Sequence, residues 1–328
     1  MKIIPAGYVR IEEPDPIKKI ERVARVCYKS EDKIGEDTDI KMVKNLIERK
    51  HLAMLEHANL ALELDIHTYT MLHAAVSNLA TDMHLYSGFL SELRFTQFML
   101  RNIVSGNLRA WQETLTAMVY NEMEIPTVIA EILRLYSKGL IAFMGTPSSA
   151  EAVEVKVIKD FTSISRRERM RHETMTILFT VDRGVTHELV RHRRASFAQE
   201  STRYCNYGNK DKDITVIEPI FFDPDSLPHD VWESACKNAS DAYMGLTNGG
   251  GVLPQEARTV LPQSVKADIV VTATLEEWMH IFNLRACDST GPAHPQMKEV
   301  MIPLLKDAKQ WYPGIFDNLT PASMPTRL

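Results

Sequence analysis

Two short segments in which every second residue is apolar restrict the fold more than any other feature of the chain. Residues 60–66 (LALELDI) alternate leucine and isoleucine with Ala61, Glu63 and Asp65, and residues 174–181 (TMTILFTV) alternate apolar residues mostly with threonines. A period of two is that of a β-strand with one buried face. The apolar spacing elsewhere is mostly helical, so the sequence predicts an α+β fold in one domain over residues 1–328.

Capping and turn residues mark further predicted elements. Asp15 followed by Pro16 is typical of a helix start. No internal repeat or linker divides the chain, and the methionine-rich stretch from about 67 to 139 predicts a helical layer. The other predicted elements are a strand at 2–11, helices at 16–30, 38–50, 107–122 and 127–136, a helix from 185, a loop at 219–230, a helix around 232–243, a strand at 268–273, and helices near 275–286 and 294–309.

Charge and composition exclude several classes of protein. The net charge is -5 and the isoelectric point about 6.1, which disfavours a dedicated nucleic-acid binder. No stretch approaches 18 apolar residues, and the first residues reach charge and proline too early for a signal peptide, so we expect a cytoplasmic protein without a membrane partner. The 4 cysteines have neither a disulfide-framework nor a zinc-ligand spacing.

The most distinctive segment is the arginine-rich run at residues 191–204 (RHRRASFAQESTRY). Four arginines and one glutamate give residues 191–203 a local charge of +3. Guanidinium groups pair with phosphate, and the hydroxyl and amide side chains among them suit a base or a sugar. A solvated basic face is the alternative, but the apolar helix start before the run favours an anion site.

Other candidate motifs give weaker signals. His187, Glu188 and His192 have one residue too many for a zinc-hydrolase motif, since histidines five apart on a helix point about 140° away from each other, and we expect no metal site. The three glycines at 249–251 do not form a phosphate loop. Arg285 lies on the apolar stripe of a helix, so it needs either an internal carboxylate or a ligand anion as partner.

The run resembles the signature of the flavin-dependent thymidylate synthases, in which Arg-His-Arg is followed by seven residues and a serine. Here these are Arg191 to Arg193 and Ser201, and the elements 55–57, 254–262 and 283–285 follow in that family's order. The resemblance covers roughly 1–66 and 172–311. It implies one elaborated domain with a mixed or antiparallel sheet flanked by helices, and a helical insertion at about 67–171.

The resemblance also implies a reaction and its ligands. A member of this family converts dUMP to dTMP with methylenetetrahydrofolate as the one-carbon donor and with FAD, reduced by NADPH, as the hydride source, in a homotetramer with shared active sites. Ser201, Arg258 and Arg285 are the expected catalytic residues, with Ser201 orienting dUMP rather than attacking it. Carried over by position, Gln199, Ser201, Arg203, Arg258 and Arg285 would surround dUMP, whereas His57, Arg191, His192, Arg193, Asn107 and His280 would contact FAD.

Three points stay open at this level. Thr274 stands where many relatives have a flavin-contacting asparagine, and the Asn107 and Arg109 pair could replace that contact. UMP or another uracil nucleotide is an alternative substrate, because few residues of the signature would distinguish a nucleotide with a 2′-hydroxyl from one without it. A non-enzymatic RNA-binding module that stacks bases on Phe197 and Tyr204 is an alternative from another class.

Overall fold

The computed structural model describes residues 1–81, 93–98, 101–141, 154–203, 205, 207 and 213–325. The strands are β1 (Lys2–Ile4), β2 (Gly7–Arg10), β3 (Asn59–Leu64), β4 (Arg94–Phe98), β5 (Arg101–Asn107), β6 (Val155–Val157), β7 (Thr174–Asp182), β8 (Ser196–Gln199), β9 (Thr215–Ile217) and β10 (Lys266–Thr274). The helices are α1 (Pro16–Tyr28), α2 (Thr38–Glu48), α3 (Ile66–Thr81), α4 (Leu108–Tyr120), α5 (Thr127–Tyr136), α6 (Arg166–His172), α7 (Arg183–Leu189), α8 (Leu227–Met244), α9 (Pro254–Ala257), α10 (Leu275–Arg285) and α11 (Pro295–Trp311). The fold is therefore α+β, as predicted.

The first sheet has the order β2-β7-β10-β8, and each neighbouring pair is antiparallel. The alternating side chains predicted at 174–181 lie in β7 and face a core closed by α10 and α11. The opposite face of β10 and β8 packs against α1 through a smaller cluster that includes Val23, Val26 and Val270. Because β10 lies in the middle of this sheet, side chains on its two faces belong to these two different clusters.

The second sheet corrects the prediction that the insertion is a helical layer. Its order is β4-β5-β3-β6, all antiparallel, so strands before and after the helices α4 and α5 pair with β3 on either side. Asn102, Ser105 and Asn107 are buried polar residues in β5. A strand that is buried on both faces and carries polar residues has no apolar alternation, which is why the pattern at 101–107 did not indicate a strand.

The strand β3 forms as predicted, with one face buried and the other partly buried. Leu60, Leu62 and Leu64 face the cluster built by α3, α4 and α5. Ala61, on the other face, is 2% exposed and packs with Ile103, Ile158 and Ile164. The prediction of a half-buried strand therefore holds at Glu63, which stays partly exposed, but not at Ala61, which the segment after β6 covers.

Two local predictions also change at prolines. The predicted strand at 2–11 is divided near Pro5: β1 pairs in parallel with β9, whereas β2 joins the first sheet. Since proline has no N–H, it interrupts strand pairing there. The predicted loop at 219–230 ends earlier than expected, because α8 begins at Leu227 with Pro228 in its first turn, where a proline fits a helix.

The two sheets meet through buried polar contacts. His57 Nδ1 and Thr272 Oγ1, which belong to the segment before β3 and to β10, are 2.8 Å apart. His172 at the end of α6 bonds Ser105 Oγ through Nδ1 at 2.8 Å, and its carbonyl accepts from Asn59 Nδ2. In the described part of the chain, no helix has the length and apolar character needed to cross a membrane.

Candidate active site

The arginine-rich run begins where α7 ends and continues into the edge strand β8. Residues 190–195 form the turn between them, and β8 pairs with the middle of β10. The chain leaving β8 is held by backbone bonds from Glu200 N to the Asp268 carbonyl at 2.8 Å and from Ser201 N to the Cys27 carbonyl at 3.1 Å. The segment 200–203 therefore has a fixed position beside the ends of β10 and α1.

Two of the residues predicted to surround a nucleotide, Gln199 and Ser201, lie at this end of β8. Gln199 Nε2 donates to Thr186 Oγ1 of α7 at 3.0 Å, which orients the amide. Ser201 Oγ accepts from the backbone N–H of Arg203 at 3.3 Å. No general base contacts the Ser201 hydroxyl among the described residues, and its role in orienting dUMP stays a prediction.

Thr202 is the point at which two guanidinium groups meet. Arg258, which begins a 3-10 helix after α9, places Nη1 3.4 Å from Thr202 Oγ1. Arg183 at the start of α7 places Nη2 at the same distance from the same oxygen. Arg258 was predicted as a site residue; Arg183 was not, because nothing in its local sequence distinguishes it from a surface charge.

Arg285 pairs with an internal carboxylate, one of the two kinds of partner that the sequence allowed. Its Nη1 lies 2.8 Å from Glu188 Oε2, and its Nε donates to His192 Nε2 at 3.2 Å. Burial lowers the pKa of His192 to about 4, and the positive charge of Arg285 adds to that effect. His192 is therefore neutral near pH 7, and its ring lies 6.0 Å from that of exposed His280.

The other cationic side chains of the run face outward. Arg191, Arg193 and Arg194 are exposed and have no carboxylate partner within the described parts of the chain. Guanidinium groups without internal partners are available to an anionic ligand. Their chemistry fits the pyrophosphate of a dinucleotide such as FAD.

His57 lies behind this surface. It is fully buried, its Nδ1 bonds Thr272, and burial, reinforced by the charge of Lys19, lowers its pKa to about 3. Its ring has no exposed surface in the single chain, so the predicted contact with a cofactor stays a prediction.

The insertion reaches the site through Asn107 and Arg109. Asn107 Oδ1 accepts from Ala110 N at 2.8 Å and so caps α4. Arg109 Nη1 donates to Glu56 Oε1 at 2.8 Å, and the other oxygen of Glu56 accepts from Ser196 Oγ of β8 at 3.0 Å. The pair suggested by the sequence therefore lies next to the start of β8, although its predicted contact with FAD is untested.

A buried ionic cluster supports the segment 200–203, and the sequence analysis missed it. Glu200 Oε2 and Asp268 Oδ2 lie 2.6 and 2.7 Å from Lys266 Nζ, and Lys29 Nζ lies 2.6 Å from Asp268. Although burial acts against the charge, the two carboxylates raise the pKa of Lys29. The i, i+2 spacing of 266 and 268 places both on one face of a strand, but no local signal connects them to Glu200 or to α1.

Neither the zinc motif nor a large cavity beside β2 and β7 coincides with this site. His187 is exposed on α7, whereas His192 is buried beyond its end. No group of three or more potential metal-ligating side chains comes together in the described ranges. The cavity of about 750 Å³ is lined by β2, the start of α1, β3, β6 and β7, and includes Lys19 and Phe161 but no residue of the arginine-rich run.

Comparison with known proteins gives concordant matches. The sequence model of the family described as thymidylate synthase complementing protein (Thy1) matches residues 127–314. A flavin-dependent thymidylate synthase of Pyrococcus horikoshii is 36% identical over 191 residues, which cover 57% of this chain and 76% of the relative. The flavin-dependent thymidylate synthase of Geobacter sulfurreducens is 29% identical over 163 residues, which cover 49% of this chain and 68% of the relative. That of Pyrococcus furiosus is 33% identical over 141 residues, which cover 42% of this chain and 55% of the relative.

A solved structure also matches part of the chain. The crystal structure of a UMP/dUMP methylase PolB from Streptomyces cacaoi bound with 5-Br UMP aligns at 21% identity, over 46% of this chain and 76% of that chain. Its TM-score of 0.38 is too low to establish a shared fold.

Proposed function

The chain belongs to the thymidylate synthase complementing protein family, whose model matches more than half of its residues, and on that premise we propose that it is a flavin-dependent thymidylate synthase. The proposed reaction is the reductive methylation of dUMP to dTMP, with the one-carbon unit from methylenetetrahydrofolate. The observation that carries the proposal is the cluster of Gln199, Ser201, Thr202 and Arg258 at the end of β8. Arg191, Arg193 and Arg194, in the turn before β8, are exposed and have no carboxylate partner among the described residues.

The nucleotide would lie at the end of β8. Gln199, Ser201, Arg203, Arg258 and Arg285 offer amide, hydroxyl and guanidinium groups to its base, sugar and phosphate. Glu188 holds Arg285 in place without covering it, since the Arg285 side chain is 21% exposed. A guanidinium oriented in this way can stabilise negative charge on the base with little reorganisation.

FAD would be held by the outward-facing part of the same run. Arg191 and Arg193 fit its pyrophosphate, with the neutral ring of His192 and the exposed ring of His280 alongside. Asn107 would add an amide from the insertion, and His57 would support β8 from behind. When bound, FAD supplies the hydride, which it receives from NADPH; the protein itself contributes proximity and electrostatics.

We further propose that the protein is a homotetramer with active sites shared between copies. Arg191, Arg193 and Arg258 are exposed in the single chain and lack carboxylate partners among the described residues. A ligand held between copies would cover these cations and supply the opposite charge. Size measurement in solution, for example by light scattering, would give four copies; a monomer with full activity would contradict shared sites.

The first experiment is the visible absorption spectrum of the purified protein, followed by anaerobic reduction of its flavin. We expect dUMP and methylenetetrahydrofolate together to reoxidise the flavin and to yield dTMP, measured by chromatography. Turnover on UMP but not on dUMP would keep the site and change the substrate. A colourless protein that cannot take up FAD, and that binds single-stranded RNA in a salt-dependent manner, would overturn the proposal.

A further inference from the structure

The two sheets repeat one set of contacts, although no repeat is visible in the sequence. In α4, Trp111 Nε1 donates to the Leu60 carbonyl at 3.1 Å, and in α10, Trp278 Nε1 donates to the Met175 carbonyl at 3.0 Å. The same repetition holds for the backbone bonds from Leu108 N to Ala58 O, from Leu275 N to Glu173 O, from Ile158 N to Ala61 O and from Ile11 N to Thr176 O. Thus β3, β5 and α4 correspond to β7, β10 and α10.

The contacts between the two sheets are reciprocal. His57, just before β3, bonds Thr272 of β10, and His172, just before β7, bonds Ser105 of β5. An interface in which each half contributes the same position to the other is that of a two-fold axis. The two halves of the chain are therefore related by an approximate two-fold axis that passes between the sheets.

The cavity of about 750 Å³ lies between the two halves, close to this axis. Corresponding segments line it in pairs, 58–61 with 173–176 and 10–12 with 157–159. Protein interiors are close-packed and have few voids larger than a water molecule, whereas sites for small molecules measure about 300–1,000 Å³. The space left between the halves therefore has the size of a ligand site.

Lys19 of α1 is a half-buried cation that lines this cavity. It forms no ion pair with a carboxylate in the parts of the chain that the structure describes. Burial lowers the pKa of its amine to about 8, an effect that the charge of Glu13 opposes, so the amine is mostly protonated at pH 7. A charge in such a position is unfavourable unless an opposite charge joins it.

The other charges around the cavity leave a cation in excess. Ion pairs join Arg10 to Glu12, Lys138 to Asp15 and Arg169 to Glu173. Of the lining residues outside such pairs among the described residues, Lys19 and Lys159 are cations, and Glu13 is an anion. The balance of charge therefore favours an anionic occupant.

We propose that this cavity is a second binding site, which takes a small organic anion with an aromatic or other apolar body and pairs its acidic group with Lys19. Phe161, Tyr136 and Leu135 supply apolar surface to the body of such a molecule. Because no residue of the arginine-rich run lines the cavity, the site is separate from the proposed active site and does not depend on the proposed reaction.

The probe is 8-anilinonaphthalene-1-sulfonate, an aromatic sulfonate whose fluorescence rises in apolar surroundings. We expect one molecule to bind per chain, and Lys19→Met, which removes the charge, to raise its Kd at least about tenfold. Neutral N-phenyl-1-naphthylamine, which has the same aromatic body without the sulfonate, should bind the wild type and Lys19→Met equally. Lys18→Met, at the exposed neighbouring position of α1, is the matched control and should leave both affinities unchanged.

A second variant fills the cavity. Thr174 of β7 is among the lining residues, and Thr174→Trp should abolish binding of both probes. Without a ligand, Lys19→Met should keep or raise the thermal midpoint, because it removes an unpaired charge; a lower midpoint would make Lys19 a structural residue and overturn the proposal. If either variant does not fold, the other decides the matter.

Calorimetric titration separates the cavity from the active site. Excess dUMP and FAD should not displace the sulfonate, and displacement by either would place it at the arginine-rich run and overturn the proposal, whatever the reaction. Equal affinity of the sulfonate for the wild type and Lys19→Met would overturn it as well. Lys19-dependent binding in a protein that forms no dTMP would keep the cavity site and overturn the proposed function alone.

Discussion

Charged side chains buried behind the arginine-rich run explain how the segment keeps its shape. Glu200 is 2% exposed and lies between Lys266 and the hydroxyl of Tyr207, which donates to Glu200 Oε1 at 2.5 Å. Thr180 Oγ1 donates to Asp268 Oδ1 at 2.7 Å, so the carboxylates of the cluster have partners on several sides. A buried charge is tolerated only when it is paired and hydrogen-bonded, and each of these is.

Removing one cation from this cluster should therefore be costly. We expect Lys266→Met to lower the free energy of unfolding by about 3 kcal/mol or more, because Glu200 and Asp268 would keep only Lys29 as a cationic partner among the described residues. Urea denaturation measures the change. Lys237→Met, at an exposed site on α8, is the control and should stay within about 0.5 kcal/mol of the wild type.

A double variant tests whether the charges of the cluster are energetically coupled. Adding Asp268→Asn to Lys266→Met removes a carboxylate together with its cation, so the double variant should lose less stability than the two single effects combined. Strict additivity would contradict a coupled cluster.

His192 should make the stability depend on pH. Its pKa is about 4 in the folded protein and about 6.5 in an unfolded chain, so between these values the unfolded chain binds a proton that the folded protein does not. Stability is therefore lost as the pH falls through this window, by up to about 1.4 kcal/mol per pH unit. In His192→Gln, whose amide oxygen can still accept from Arg285, the free energy of unfolding should fall less steeply between pH 6.5 and 4.5.

The exposed His51→Gln variant controls for the removal of one histidine elsewhere. A slope for His192→Gln equal to that of the wild type would show that His192 is not a source of the pH dependence.

At the scale of elements, the start of α4 serves two purposes. The Asn107 side chain caps this helix, and two residues later Arg109 pairs with Glu56 and Glu113. Leu108 N donates to the Ala58 carbonyl at 2.9 Å, which joins the helix to the segment just before β3. The insertion therefore contributes directly to the support of β8 through Glu56.

Two variants at Asn107 separate its cap from its proposed contact with FAD. Asn107→Ala should lower the free energy of unfolding by about 1 kcal/mol, and Asn107→Ser should restore most of it because serine also caps a helix. If the amide contacts FAD, flavin affinity should fall in both variants, as measured by titration of the apoprotein. Full flavin content and affinity in Asn107→Ala would remove the role in cofactor binding.

At the scale of the whole molecule, two cores share one set of polar contacts. One core is built on β7 and β10, and the other on β3, β5 and the helices of the insertion. His57 and His172 connect them, and burial lowers the pKa of each to about 3. Both rings are neutral at pH 7, so they join the sheets without placing a charge between them.

Because of these contacts we expect the two cores to unfold together. Trp111 is fully buried in the second core and donates Nε1 to the Leu60 carbonyl at 3.1 Å. Trp111→Ala should cost about 3–5 kcal/mol, and amide hydrogen exchange should become faster in β10 as well as in β3. Faster exchange confined to residues 59–64 and their neighbours would show that the cores unfold independently.

The sequence by itself determined the elements whose pattern is local and the residue types of the site. The alternation at 174–181, the cap at Asp15 and Pro16, and the apolar stripe of α10 each depend on neighbours a few residues apart, and the structure has all three. The run from Arg191 to Arg203 is contiguous, so its charge and its resemblance to a family were visible without a fold.

Only the tertiary structure decided how distant segments pair. Leu62 of β3 lies opposite Val104 and Val157, partners that no local pattern identifies, and this pairing adds strands of the insertion to a sheet on β3. The meeting of Arg183 with Arg258 on one hydroxyl, and that of Glu200 with Lys266, are likewise contacts between distant segments. Local periodicity shows which face of an element is buried, but the partner of a buried or charged side chain is selected by packing of the whole chain.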